Sequence, residues 1–560
     1  MVNCRRKDFT HLAIFTLILI VLNSLGSFFY TRFDFTAEKR YSLTPITKSI
    51  LNNLKEEVQI TVYLEGDFPS GFKRLHNSTR DLLTDFKSYS NNKLQFTFVN
   101  PTAGNSKDHQ TAFENLASKG IQPTNLSVKT EDGMSQKIIF PAALITYNGK
   151  QMPVNLLQNK SGATPEEVLN NSIQNLEYAF ANGIKKITGE GKARIGFTEG
   201  HGELDDQQLN DAINSLSDTY EVGRVDLNTI PFAGLDKLKL MVIAKPNTAF
   251  TEAEKFKIDY FIMNGGRVFW AIDQVNAELD SLRGKGNQLA FPKKLNLDDM
   301  LFKYGIRINY DLIADMNSAQ IPISVGNVGG QSQIQLLPWL FYPVIVPNST
   351  HPLVKNLDGI RSEFASSIDT LAVKGVKNTI ILASSPFNKK TEIPAMLSLQ
   401  MVEQEPDPKS FQSNPKIMGV LLEGKFPSDF KNRPIPAGIS EVPNHPAQSK
   451  ATKMIVVADG DILKNQISGT DGSAFPLGYD RFTKQQYGNK NFLLNVADYL
   501  TDDSDIIQLR NKEIKLRLLD RARIRDERTQ WQMLNIGLPL LLLAIFGLLW
   551  QYYRKRKYAR

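Results

Sequence analysis

The sequence has almost no cysteine, because Cys4 is the only thiol among its 560 residues. A single thiol cannot form an internal disulfide, a redox-active Cys-x-x-Cys pair or a thiolate zinc site. The phosphate-binding pattern G-x-x-x-x-G-K-[ST] is also missing, so the chain is not a P-loop ATPase by itself. The G-x-S-x-G nucleophile elbow of α/β-hydrolases is missing as well. These absences favour a non-enzymatic protein without a cofactor.

The long central region of the chain has no excess of positive over negative residues. The formal net charge is +8, but the excess lies in residues 5–7, 506–530 and 554–560, so the rest is slightly acidic. A nucleic-acid-binding protein carries its basic residues on a domain face. Basic residues beside apolar runs follow the positive-inside rule of membrane proteins instead. We therefore expect no nucleic-acid partner and interpret the basic ends as signals of membrane topology.

Two uncharged apolar runs lie near the ends of the chain, Leu12–Tyr30 and Met533–Tyr553. About 20 helical residues cross a hydrocarbon core of ~30 Å. A cleaved signal peptide is the alternative for the first run, but bulky Phe28, Phe29 and Tyr30 replace the small residues of a cleavage site. The sequence therefore predicts two transmembrane helices, with both termini cytoplasmic and most of the chain extracytoplasmic.

The predicted fold class is α/β, with two extracytoplasmic α/β domains between two single transmembrane helices. The predicted parts are residues 1–33 (cytoplasmic N-terminus and first span), 34–188 (N-terminal α/β domain), 189–505 (second α/β domain with long insertions), 506–532 (basic juxtamembrane helix) and 533–560 (second span and basic cytoplasmic tail). Alternating buried-type strands and helices after residue 189 predict a mostly parallel sheet.

Local signals predict several elements within these domains. The order β-α-β-α-β-β in residues 34–188 is typical of a thioredoxin-like domain, and Asn148-Gly149 predicts a two-residue hairpin turn. A helix is expected to begin after Thr164 and to end at Gly183, and another to span Leu204–Ser217. Residues 317–352 and 386–450 are rich in Pro, Asn, Ser and Gly and are expected to be irregular insertions.

Glu199, His201 and Glu203 alternate directly after a predicted strand. In an extended chain they would share one face and could serve as metal ligands or as an acid/base group. Glycines between them favour a strand-to-helix turn instead, with φ > 0 at the glycines and acids near the helix N-terminus. For Asp459 and Asp461, a calcium site and a turn with an N-cap are the alternatives. We favour the turn at both places and expect no catalytic, cofactor-binding or metal site.

The segment before the second apolar run holds eight basic residues between positions 510 and 528. We expect this segment to contact a membrane partner or lipid headgroups, to which each basic side chain near the surface contributes about 1 kcal/mol. The predicted contact residues are Arg521, Arg523, Arg525 and Arg528.

Seven segments of the chain together resemble the GldG family of gliding-motility ABC-transporter auxiliary, substrate-binding-like proteins. These segments are Arg32–Leu43, Gly196–Glu203, Gly265–Asp273, Leu422–Phe430, Ala458–Asp461, Asn491–Leu500 and Leu534–Leu549. The resemblance implies a periplasmic, membrane-anchored component that works with a separate polytopic permease and a separate cytoplasmic ATPase. It also implies a glutamine-amidotransferase-like fold for the second domain. Amidotransferases of that class use a cysteine nucleophile, and Cys4 lies outside the domain, so the activity is not implied.

A second function class remains open at this stage. The chain could be an extracytoplasmic hydrolase or a protein that binds cell-wall glycan, centred on His201. Trp270 or Trp339 would then supply a stacking surface for a sugar ring.

Overall fold

The computed structural model describes most of the chain. The described residues are 12, 14–21, 23, 42–66, 68–101, 106–121, 123–130, 133–158, 164–189, 191–328, 331–403, 405–439, 444–504, 506–511 and 521–558. The chain divides into two compact units, one made of Met1–Phe35 with Tyr41–Lys512 and one made of Thr36–Arg40 with Glu513–Arg560. Most helices and strands belong to the first unit.

The first stretch of this unit is an alternation of helices and strands around a small sheet. In chain order its elements are α1 Pro45–Asn52, β1 Val58–Val62, α2 Ser70–Tyr89, β2 Leu94–Phe98, α3 Ser106–Ser118, β3 Thr124–Thr130, β4 Gly133–Ile139, β5 Ala142–Tyr147, β6 Lys150–Asn155 and α4 Pro165–Thr188. The predicted order β-α-β-α-β-β is present, and the hairpin β3–β4 is added to it. The strand order is β2-β1-β5-β6, with β1 parallel to β2 and antiparallel to β5.

The turn between β5 and β6 forms as the sequence predicts. Asn148 has φ 48° and Gly149 has φ 76°, so both residues occupy the left-handed region that a type I′ hairpin turn requires. The turn pairs Tyr147 with Lys150 and sets the register of the whole hairpin.

Helix α4 begins where the sequence predicts but ends later. The Thr164 side chain accepts a hydrogen bond from the Glu167 backbone N–H, and the Glu167 carboxylate accepts one from the Thr164 backbone N–H, a capping box that fixes the start. The helix runs past Gly183 to Thr188, so the predicted end at this glycine is wrong. A Cβ at position 183 would lie 2.8 Å from Ile145 Cδ1, and the glycine is therefore needed for close packing of α4 on the sheet.

Helix α4 also contacts the segment at the start of α1 and the segment that follows residue 505. Glu177, which is buried in α4, accepts hydrogen bonds from Thr44 N at 2.8 Å, Thr44 Oγ1 at 2.9 Å and Thr47 Oγ1 at 2.9 Å. At the other end, Ile506 and Leu509 of the short 3₁₀ helix Ile506–Asn511 are buried in the same apolar core as α4.

The second stretch begins with an α/β alternation. Its first elements are β7 Arg194–Glu199, α5 Asn210–Ser217, β8 Glu221–Asp226, α6 Phe232–Leu235, β9 Leu240–Ala244, α7 Glu252–Met263, β10 Arg267–Ala271, β11 Val275–Asn276, α8 Leu279–Lys285, β12 Asn287–Pro292, α9 Asp298–Tyr304, β13 Ile306–Ile308, β14 Asp311–Asp315, β15 Ser318–Val328 and β16 Gln331–Ile345. The predicted helix 204–217 is shorter than expected, since its first residues form a turn.

The remaining elements of the first unit complete the sheets. They are β17 Ile360–Arg361, β18 Ile368–Thr370, β19 Val376–Ala383, β20 Asn388–Glu392, β21 Ala395–Ser398, β22 Ile417–Gly424, β23 Thr452–Val457, β24 Tyr479–Asp480, β25 Gln485–Gln486 and α10 Asn489–Thr501. The expectation of irregular insertions is wrong for parts of both ranges. β15 and β16 pair as a long antiparallel hairpin, and β22 joins the main sheet.

The main sheet has seven strands in the order β19-β22-β23-β10-β9-β7-β8. The five strands from β23 to β8 are parallel, and β22 and β19 add an antiparallel edge. The α/β class and the mostly parallel sheet are thus confirmed. Both faces of the sheet are buried: Val242 and Phe269 lie in the apolar core that includes α4 and α10, while Ile243 and Trp270 lie in the core under α7.

The second unit is described over one long helix, α11 Arg521–Tyr558. Within it, Ile524–Arg556 is the one segment of the described residues that is long and apolar enough to cross a membrane. The basic positions 521–528 and the predicted second span belong to this single helix. In the first predicted span, residues 12–30, positions 12, 14–21 and 23 are described and helical, and the other positions lie outside the described residues.

Candidate functional site at the carboxyl edge of the main sheet

The strand order of the main sheet indicates where a ligand site is expected. Strands β8-β7-β9-β10-β23 follow the order 2-1-3-4-5 of a doubly wound sheet. Such sheets hold ligands at the carboxyl ends of their strands, beside the point where the order reverses. Here this point lies between β7 and β9, so the residues that follow β7, β9, β10 and β23 form the candidate site.

His201 lies in the turn after β7 and is held on both sides. Its Nδ1 lies 3.3 Å from Glu203 Oε1 and its Nε2 lies 3.1 Å from Glu254 Oε1. The imidazole stacks on the ring of Phe250 at a centroid distance of 3.8 Å, and His201 is 3% exposed. Glu254 also accepts from the backbone N–H of Thr251, so His201 joins the β7 turn to the start of α7.

The surroundings of His201 favour its charged form. Burial alone would lower the pKa of His201, but the hydrogen bonds to Glu203 and Glu254 raise this pKa above its usual value. Burial opposes the charge of the two carboxylates as well. Hydrogen bonds to His201 and to backbone N–H groups nevertheless lower the pKa of Glu203 and of Glu254. Both ring nitrogens are thus committed to carboxylates, which leaves neither of them available as a general base or a ligand.

Glu199 does not join this group. Its carboxylate faces Arg224, with Nε 3.3 Å from Glu199 Oε2. Gly200 with φ 108° and Gly202 with φ 69° turn the chain between the three polar residues. The structure thus contains the strand-to-helix turn that the sequence favours. It brings His201 and Glu203 together but not Glu199, and it adds Glu254 from α7.

Lys245, directly after β9, is the centre of a second and larger group. Its Nζ lies 2.6 Å from both carboxylate oxygens of Asp461, 2.6 Å from Glu278 Oε1 and 3.5 Å from Asp273 Oδ2. Burial alone would lower the pKa of Lys245, but the negative charges of Asp461, Asp273 and Glu278 raise it well above its usual value. Lys245 is therefore a cation and not an amine nucleophile.

Two further lysines complete the charge balance at this edge. Lys464 Nζ lies 3.2 Å from Asp461 Oδ1, and Lys293 Nζ lies 3.6 Å from Asp273 Oδ2. Burial alone would raise the pKa of Asp461, but Lys245 and Lys464 hold this pKa far below its usual value. Burial raises the pKa of Glu278, and the neighbouring Asp461 charge adds to this shift.

The segment Ala458–Asp461 after β23 has a separate task for each polar position. Asp459 accepts from Ser362 Oγ at 2.5 Å and from Glu363 N at 3.0 Å, which ties the loop after β17 to the site. Burial raises the pKa of Asp459 well above its usual value, and the nearby acids strengthen this effect. A Cβ at position 460 would lie 2.5 Å from Lys245 Cβ, so glycine is the residue that permits the lysine to approach.

The oxygen atoms that could hold a cation are already directed at an ammonium group. Asp273, Glu278 and Asp461 each offer one carboxylate oxygen within 4.8 Å of the others, and these oxygens surround Lys245 Nζ. A divalent ion would have to displace the lysine. The edge is thus closed by the chain's own charges, and backbone bonds from Asn247 and Thr248 to the His201 carbonyl close it further.

Lys245, Asp273 and Glu278 were not predicted from the sequence as site residues. The signal available was that charged residues follow two buried strands directly: Lys245 follows LMVIA and Asp273 follows RVFWAI. Because carboxyl ends of parallel strands meet at one edge, such residues converge. The suggested stacking residues are excluded from this use by burial, since Trp270 is 0% and Trp339 1% exposed.

The predicted contact residues lie on α11. With 3.6 residues per turn, positions 521, 525 and 528 fall on one side of the helix and position 523 falls on the opposite side. Trp531 Nε1, one turn after Glu527, donates to the Glu527 carboxylate at 3.0 Å.

Two family models match parts of the chain, and one relative matches nearly its whole length. The model of a family described as "ABC-type uncharacterized transport system" matches residues 192–496, and that of a domain of unknown function, DUF7088, matches residues 37–146. An uncharacterized protein of Borreliella burgdorferi (strain ATCC 35210 / DSM 4680 / CIP 102532 / B31) is 22% identical over 556 residues, which is 97% of each chain.

Two solved structures are similar to parts of the chain. The mmIFT52 N-terminal domain is 13% identical, with a TM-score of 0.30, over 56% of this chain and 99% of its own. A ThuA-like protein from Bacteroides uniformis ATCC 8492 is also 13% identical, with a TM-score of 0.26, over 57% of this chain and 96% of its own.

Proposed function

Because this chain belongs to the ABC-type transport system family whose model spans residues 192–496, we propose that it is a non-enzymatic, membrane-anchored auxiliary subunit of an ABC transporter. Association with an ABC transporter and with a membrane is what the family and α11 support directly. The finer proposal is that the chain works with a separate polytopic permease and a separate cytoplasmic ATPase.

The observation that carries this proposal is α11. Its 38 residues span about 57 Å at ~1.5 Å per residue, longer than the ~30 Å hydrocarbon core. Its apolar side chains are open to the surroundings: Leu541 is 57%, Phe546 63% and Leu548 67% exposed. Such a surface is unfavourable in water and favourable in lipid. Basic residues before and after the apolar part then lie at the two headgroup layers.

The proposed topology has two spans, both termini in the cytoplasm and the bulk of the chain in the periplasm. The basic residues 5–7 and 554–557 support it, because positive charge is retained on the cytoplasmic side. We also propose a thioredoxin-like fold for residues 34–188, from the order of their elements. From the sequence resemblance we propose an amidotransferase-like fold for residues 189–505 and a role in gliding motility of the GldG type.

The site geometry supports a role without catalysis. His201 has both nitrogens bound to carboxylates and Lys245 is held as a cation among three acids. Neither group satisfies the arrangement of nucleophile, base and open reaction space that catalysis requires. We interpret the carboxyl edge as a structural joint that locks the loops after β7, β9, β10 and β23 together. The hydrolase or glycan-binding alternative has no comparable support.

The proposal is tested by reversing the charge on one side of α11. The test variant combines Arg521→Glu, Arg525→Glu and Arg528→Glu. The amount of permease that co-purifies with it from the native membrane is measured. If this side docks on the permease, we expect at least a tenfold loss of co-purified permease. Arg523→Glu is the matched control, because its position faces the other way and the substitution is the same.

Insertion of α11 in each variant is checked with a cysteine introduced at Ala559 in a Cys4→Ser background, labelled with membrane-permeant and impermeant reagents. If the triple variant inserts and retains the permease in full, α11 is not the docking element. If the native membrane yields neither permease nor ATPase with the intact protein, the assignment as a transporter subunit is wrong.

A further inference from the structure

A large cleft lies within the first unit, away from the carboxyl edge of the main sheet. Its volume is about 1260 Å³, and its walls are α4, α10, the strand β6 and the loops 356–358 and 486–488. Ligand cavities for small molecules have volumes of about 300–1,000 Å³. The cleft is therefore large enough for one polar solute with part of its hydration shell.

The lining of the cleft is rich in carboxamide groups. Gln151 on β6, Asn175 and Asn182 on α4, and Asn491 and Asn495 on α10 all line it. Each carboxamide offers both a donor and an acceptor. A wall of this kind binds hydroxyl, amide or carboxylate groups by hydrogen bonds and offers little to an apolar ligand.

Arg510 supplies a cation in the wall of this cleft. Its Nη2 donates to the Lys355 carbonyl oxygen at 3.2 Å, and its guanidinium lies over the ring of Tyr178 at 5.5 Å. Its Nη1 is buried and makes no hydrogen bond to any described residue. Burial lowers the pKa of Arg510, because the charge lacks solvent. A buried guanidinium N–H without an acceptor is an unfavourable state that an oxyanion would relieve.

The nearest acid of the cleft is already saturated. Asp498 Oδ1 lies 2.7 Å from Lys186 Nζ and accepts from Tyr220 OH at 2.6 Å. Asp498 Oδ2 accepts from Asn182 Nδ2 at 3.1 Å and from Tyr178 OH at 3.3 Å. Lys186 is thus the direct ionic partner of Asp498, and no carboxylate among the described residues forms an ion pair with Arg510.

We infer that this cleft binds a polar solute that carries an oxyanion, a carboxylate or a phosphate, with Arg510 as its ionic partner and the carboxamides as its hydrogen-bonding wall. The planar guanidinium is suited to either oxyanion through two parallel N–H···O bonds. This inference concerns the purified chain alone. It therefore stands or falls separately from the co-purification of a permease.

The test uses the full-length protein in detergent, titrated with inorganic phosphate and with succinate at constant ionic strength set by chloride. We expect a saturable rise of the thermal midpoint and a binding isotherm by calorimetry for at least one of the two anions. The anion whose binding saturates at the lower concentration identifies whether the cleft prefers a carboxylate or a phosphate. Arg510→Met should weaken binding at least tenfold.

Two further variants keep the test decisive if Arg510→Met fails to fold. Asn175→Asp adds a negative charge to the wall without touching Arg510 and should weaken binding several-fold. Arg283→Met is the matched control, since Arg283 lies on α8, outside the cleft, and should bind as the wild type does. A saturable response to neither anion, or an equal response in Arg510→Met, overturns the inference.

Discussion

Replacement of Lys245 by methionine tests whether the charge group at the carboxyl edge is a structural joint. The substitution keeps the length of the side chain, and it keeps the backbone at φ 56°, which lysine and methionine tolerate equally. It removes the ammonium that lies 2.6 Å from Asp461 and from Glu278. We expect a large loss of stability, because the carboxylates then remain buried without their main partner.

The magnitude follows from the groups that remain. Removal of one partner from a buried ion pair costs about 3–5 kcal/mol. Lys464 stays 3.2 Å from Asp461, Lys293 stays 3.6 Å from Asp273, and the Glu278 side chain is 34% exposed, so part of the charge is still compensated. The lower limit, about 3 kcal/mol, is therefore expected at pH 8. At about 2 °C per kcal/mol in a large domain, the thermal midpoint falls by roughly 6 °C.

The pH dependence of the loss separates a charge effect from simple repacking. Without Lys245, burial and mutual repulsion raise the pKa of the remaining acids above their unfolded values. An acid whose folded pKa is raised destabilises the protein at high pH and loses this effect as it becomes protonated. The difference between wild type and Lys245→Met, measured by thermal unfolding of the full-length protein, should therefore narrow from pH 8 to pH 5.

A double variant supplies the control. Lys245→Met combined with Asp461→Asn removes the uncompensated charge, so it should be more stable than Lys245→Met alone by at least about 1 kcal/mol. A difference between wild type and Lys245→Met that is below 1 kcal/mol at pH 8, or that stays constant between pH 8 and pH 5, refutes the joint.

Two further predictions concern the same edge. His201→Gln should lower the free energy of unfolding by about 1–3 kcal/mol below pH 6.5, because a histidine whose folded pKa is raised stabilises the protein below its unfolded pKa. This effect should fade as the pH rises through the folded pKa. A thermal midpoint that is lowered equally at pH 6 and at pH 9 contradicts this prediction. Gly460→Ala should lower stability by about 1–3 kcal/mol, because the new Cβ would lie 2.9 Å from Lys245 Cα, while Gly469→Ala, with nothing within 4 Å, should be neutral in the same assay.

Local signals predicted the elements that local chemistry determines. The hairpin turn at Asn148-Gly149 and the helix start at Thr164 follow from dihedral preference and capping, which involve residues a few positions apart. The end of α4 could not be predicted in this way. Gly183 is a helix terminator by composition, but here it is a contact point between α4 and the sheet.

Pairings over long separations were beyond reach. β22 lies in a segment rich in Pro, Asn and Gly, so its composition indicated an irregular loop, although it pairs with β23 along six residues. Lys245 and Asp461 are 216 positions apart, and neither position carries a motif that names the other. The turn at residues 199–203 was predictable because glycine permits the positive φ that the turn requires, whereas the contact of His201 with Glu254 depends on the packing of α7.

The contacts of α4 with the segment at the start of α1 and with the segment that follows residue 505 have a mechanical consequence. Thr44 is bonded to Glu177 near the middle of this helix, and Ile506 and Leu509 lie in the same apolar core as the helix. A pulling force on either segment therefore acts on α4 as well as along the chain itself. Because α4 is also one wall of the large cleft, such a force acts on a wall of that cleft.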